Sequence, residues 1–149
     1  MEKFELPLSE YTIGKRLWQE LSFLLLLLAI FLFFVGLNVV YFTATIIMYV
    51  LLLSLKRNRI IVQVDFNSEE REVYLHYFYL IFFKRREIIP YQNLNYKMSL
   101  KRFGFGAATP TLELFKEKIL VGEIRKEGKW KWQEETIEQI NQKLKTICE

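Results

Sequence analysis

The sequence predicts an α+β protein in which an N-terminal two-helix transmembrane hairpin precedes a small antiparallel β domain closed by a C-terminal amphipathic helix. Three observations predict it. Residues 21–55 of this 149-residue chain carry no charge; from residue 60 apolar and polar residues alternate; from residue 133 the apolar residues recur at spacings of three and four.

The uncharged run comes first. A straight helix over it would be about 52 Å long, against a hydrocarbon core of about 30 Å. Two short spans, Leu17 to Val35 and Val39 to Leu55, fit better, because Gly36, Leu37 and Asn38 supply a turn between them. A secretory leader would be followed by a small-residue cleavage site and a mature domain; here a second apolar segment follows at once. Lys15 and Arg16 precede the first span, Lys56, Arg57 and Arg59 follow the second, and the turn has no basic residue. The positive-inside rule therefore predicts a multi-pass protein of the inner (cytoplasmic) membrane with both termini cytoplasmic, residues 1–16 forming a short cytoplasmic segment. Trp18, Lys56, Arg57 and Arg59 are the expected interface anchors. With no ionisable group between Leu21 and Leu55, an ion or substrate path through this chain is not expected.

Residues 60–149 form the predicted cytoplasmic domain, long enough for one core. It holds 15 basic and 13 acidic residues, a balance that gives no nucleic-acid footprint. The whole chain stands at +4 with a pI near 9.1, an excess suited to an anionic leaflet. The single cysteine, Cys148, excludes an internal disulfide and is expected to be mobile near the chain end.

The strands follow in order. Ile60, Val62 and Val64 alternate with Ile61, Gln63 and Asp65, and Asn67 to Glu70 make a turn. A long strand is predicted from Glu72 to Phe83, apolar or aromatic on both faces. Lys84, Arg85 and Arg86 are expected to close it as a basic turn, and Glu87 to Ile89 to form a short strand limited by Pro90. Tyr96 to Phe103 reads as the next strand, Gly104 to Pro110 as a loop, and Thr111 to Phe115 with Ile119 to Ile124 as a hairpin. A helix over 133–148 then presents Ile137, Ile140, Leu144 and Ile147 as one stripe. Five to seven strands covered by that helix make a small α+β domain or a partly open barrel.

This order of parts resembles the bacterial membrane-anchored proteins with pleckstrin-homology-like (PH-like) domains, including the YcxB-like group. The local matches are Ile88 to Leu94, where an isoleucine pair, Pro and Tyr lead into Gln-Asn-Leu, and Trp130 and Trp132 at the entry to the last helix. The resemblance implies a PH-like fold at the membrane surface and lipid or protein binding. It transfers no catalytic residue.

Chemistry is sparse. His76 is the only histidine and has no companion ligands in sequence, so a structural role is expected and no metal or other cofactor is implied. Gly104-Phe105-Gly106 is too short for a dinucleotide fingerprint. The expectation is a binding protein rather than an enzyme. Two constellations are candidate lipid or partner sites: Lys84, Arg85 and Arg86, and the loop bearing Lys101, Arg102, Phe103 and Phe105. The first functional expectation is an accessory or assembly subunit docking on a larger membrane protein complex, or assembling with its own copies. The alternative is a lipid-headgroup module on the cytoplasmic leaflet.

Overall fold

The structure is a computed structural model describing residues 1–7, 12–55, 61–79, 83–102, 106–128 and 131–148. The chain divides into two compact units. One comprises Met1–Pro7, Asn58–Phe78 and Lys84–Glu149; the other comprises Leu8–Arg57 with Tyr79–Phe83.

The second unit holds two helices, α1 (Ile13–Val35) and α2 (Val39–Leu55). Thr12 caps α1 by accepting from the Lys15 amide at 3.4 Å. Gly36, at φ 73°, ends it in a conformation that a side chain would oppose, and its amide donates to the Leu32 carbonyl. Asn38 then caps α2, its side chain accepting from the Val40 amide at 3.1 Å. The Tyr49 hydroxyl donates to the Glu20 carbonyl, tying the end of α2 to the start of α1. Among the described residues one helix, Ile13–Val35, is long and apolar enough to cross a membrane; the apolar part of α2, Val39–Ser54, is shorter.

Among the described residues, the first unit is built from seven strands and one helix. Strands β1 (Glu2–Glu5), β2 (Ile61–Asn67), β3 (Glu72–Tyr79) and β4 (Phe83–Pro90) form one sheet in chain order. Strands β5 (Leu94–Arg102), β6 (Ala108–Lys116) and β7 (Ile119–Arg125) form a second antiparallel sheet. A 3₁₀ turn at Tyr91–Asn93 joins them, and α3 (Glu134–Cys148) follows. The core lies between the sheets and α3: Val64, Phe66, Val73 and Leu75 from the first sheet, Leu112, Leu114 and Ile124 from the second, and Ile137, Ile140 and Leu144 from the helix. Trp132 locks the corner. Its indole N–H donates to the Ile61 carbonyl and its amide to that of Arg125.

The α+β class and the terminal helix agree with the sequence-based expectation. Several details differ. The long strand from Glu72 to Phe83 is two strands, β3 and β4, and residues 84–86 lie within β4 instead of forming a turn. With three residues between them, neighbouring strands can only run antiparallel. Residues 1–16 are not a plain leading segment, because β1 pairs with β2 and α1 begins at Ile13. Pro110 lies in β6 opposite Leu100; the β7 ladder begins only at Thr111, so its missing donor costs nothing. Among the described residues the two sheets stay separate and no barrel closes. Cys148 is the last residue of α3, its thiol 3.6 Å from the Leu94 carbonyl, where burial raises its pKa.

Candidate functional site

The strand register brings polar side chains of the first sheet to the face opposite the core. Glu5, Gln63 and His76 align across β1, β2 and β3, as do Lys3, Asp65 and Tyr74. Alternation puts Val64 and Phe66 inward and Gln63 and Asp65 outward, yet both polar residues are buried, because β2 is flanked by longer side chains.

Their polar atoms are paired with one another. The Gln63 amide donates to both Asp65 oxygens at 2.9 and 2.7 Å, and His76 Nε2 lies 3.1 Å from Asp65 Oδ2. Lys84 on β4 donates to Gln63 Oε1 at 3.0 Å, and the Arg86 guanidinium stands 5.1 Å from the centre of the Tyr74 ring. Burial lowers the pKa of His76, and the positive charges of Lys84 and Arg86 lower it further, outweighing Asp65. The imidazole is therefore neutral near pH 7. The result is a polar sheet face whose positive charge sits on edge strand β4, where Phe83, Lys84, Arg85 and Arg86 are all exposed. His76 thus has the structural partner that the sequence alone did not reveal.

A second charged group lies on the β5–β7 sheet. Lys101 bridges Glu113 and Glu123, and Arg125 pairs with Glu123 through Nε at 2.9 Å. Burial pushes the Glu123 carboxyl up, but Lys101 and Arg125 outweigh it and hold its pKa below the usual range. Burial likewise lowers Lys101, and the two carboxylates more than reverse it. The two cations and two carboxylates cancel, leaving Lys101 a structural ion pair rather than a charge presented to solvent.

The predicted site residues therefore separate. Lys84, Arg85 and Arg86 form an exposed row on one strand; Lys101 is engaged by carboxylates while Arg102 is exposed at the end of β5. Trp18 is exposed on α1. Phe103, Phe105, Trp130, Lys56, Arg57 and Arg59 lie outside the described residues. Sequence reading missed Gln63 and Asp65, although their alternation with Val62, Val64 and Phe66 was a signal. It also missed Glu113 and Glu123, whose partnership depends on register. Among the described residues no three His, Cys, Asp or Glu side chains converge to hold a metal ion. No family model, curated protein or solved structure matches the chain.

Proposed function

We propose that this chain is a small hairpin-anchored binding protein of the cytoplasmic membrane, an accessory or assembly subunit that docks on a larger membrane protein complex. In this reading α1 and α2 cross the bilayer as a hairpin, and the PH-like β domain stands on the cytoplasmic side, where it binds rather than catalyses.

The observation that carries the docking reading is an apolar strip on β5. Leu94, Tyr96, Met98 and Leu100 alternate onto the face by which the second sheet meets the core, but their burial fades along the strand. Leu94 is 3% exposed, Met98 40% and Leu100 74%. The distal half of this apolar face lies beyond the chain's own core, and aliphatic side chains so placed favour a protein partner. The uncharged hairpin adds a second docking surface within the bilayer.

Mild-detergent extraction followed by mass spectrometry tests the reading. A stoichiometric membrane partner is expected with the wild-type chain, and its loss with Met98→Glu and Leu100→Glu together while the variant remains folded. Recovery of the wild-type chain alone, or with lipid only, overturns it.

A further inference from the structure

The start of β4 combines two features that a solvent-facing sheet edge does not need together. Phe83, the first residue of β4, is 61% exposed, and Lys84, Arg85 and Arg86 follow it without interruption, also exposed. Cations on an edge strand have an ordinary purpose, since they discourage edge-to-edge pairing. That purpose is poorly served by exposing a phenylalanine beside them. The sequence from Tyr77 to Phe83 contains no charge, and it changes to three consecutive cations in one step.

Among the described residues, two of the cations that follow Phe83 have uncharged partners: Lys84 donates to an amide and Arg86 stacks on a ring. Lys101, held between two carboxylates, marks the contrast.

We propose that the start of β4 is a membrane-contacting wedge: Phe83 enters the boundary between headgroups and acyl chains of an anionic bilayer, and Lys84 and Arg86 pair with the lipid phosphates behind it. An exposed aromatic followed by consecutive cations is the composition of an interfacial element, in which apolar burial and attraction to anionic lipid add. The inference rests on the proposed anchorage, which holds the domain at the surface where the start of β4 can reach lipid. It is separate from the protein docking assigned to Met98 and Leu100.

The test uses the full-length chain reconstituted into vesicles of phosphatidylcholine with or without phosphatidylglycerol. In a Cys148→Ser background, Phe83→Cys carries an environment-sensitive fluorophore, and Lys145→Cys on the exposed side of α3 serves as the aqueous reference. At position 83 we expect blue-shifted emission and quenching by nitroxide-bearing lipids, stronger in anionic vesicles, with position 145 unaffected. Lys84→Gln and Arg86→Gln should each shift the inserted-to-free ratio about fivefold toward free in anionic vesicles and hardly at all in neutral ones. Alkaline carbonate extraction separates the two possible failures. If the chain is released, the anchorage itself is overturned. If it is retained while position 83 behaves like position 145, or is shielded without lipid quenching, the wedge alone is overturned.

Discussion

Lys84 and Lys101 are both strand lysines on outward sheet faces, and their neighbours give them different work. Lys84 reaches one neutral amide, so its replacement removes a single part-buried hydrogen bond; Lys101 separates the carboxylates of buried Glu113 and half-buried Glu123, which would otherwise repel across adjacent strands. Lys101→Gln is expected to cost about 1–3 kcal/mol, because it leaves Glu113 and Glu123 without their shared cation, while Lys84→Gln stays within about 0.5 kcal/mol. The pH dependence distinguishes them further. Glu123 is depressed in the folded state, so its contribution is present above the ordinary carboxylate range and is lost as pH falls through the depressed value. Removing Lys101 raises that value and moves the onset of acid unfolding to higher pH. Far-ultraviolet circular dichroism during acid titration of the two variants checks this; coincident acid transitions for Lys101→Gln and wild type contradict the structural role.

At the scale of elements, legibility depended on whether a segment's signal was local. The helices α1 and α2 are legible because a charge-free run is broken by Gly36 and Asn38, and α3 because Ile137, Ile140 and Leu144 mark a stripe that is buried in the fold. The β6–β7 hairpin was legible from alternation around Lys116 to Lys118, with Glu117 taking the left-handed turn position at φ 57°. β1 was not: Glu2 to Glu5 contain one apolar residue, Phe4, and the strand exists because it lies along β2. The division between β3 and β4 was hidden because no Gly, Pro, Asn or Asp interrupts the apolar run. The Gln63, Asp65 and His76 cluster was invisible for a related reason, since cross-strand neighbours are set by register.

β1 gives the clearest prediction at this scale. Phe4 packs edge-on against Phe66 at 6.0 Å, and Leu6 is fully buried with its amide donating to the Val62 carbonyl at 2.9 Å. A fragment of residues 58–149 leaves β2 as an open edge and uncovers the aromatic ring of Phe66. It should be less stable than the same fragment with residues 1–7 joined to it by a flexible linker. In the full chain, Leu6→Ala should cost about 2–5 kcal/mol. Thermal unfolding of the two fragments reads the difference directly, and equal midpoints mean that β1 is an incidental contact.

For the whole molecule, the pairing of β1 with β2 restricts how the helices between them can meet a bilayer. Glu5 stands opposite Gln63, so the chain leaves the sheet, runs through α1 and α2, and rejoins the strand beside the one it left. Paired strands lie about 4.8 Å apart, whereas an odd number of crossings would put them on opposite sides of a hydrocarbon layer of about 30 Å. If α1 crosses, α2 must cross back. Its 17 residues span about 26 Å, which modest thinning of the bilayer accommodates. Single cysteines at Lys3, Lys145 and Leu37, each in a Cys148→Ser background and probed in sealed vesicles with an impermeant maleimide, test this reasoning. Positions 3 and 145 should label from the same side and position 37, in the exposed turn between the helices, from the other. Labelling of all three from one side would mean that the hairpin lies on the membrane without crossing it. Labelling of 3 and 145 from opposite sides is incompatible with the β1–β2 ladder and would remove the structural basis for a hairpin anchor.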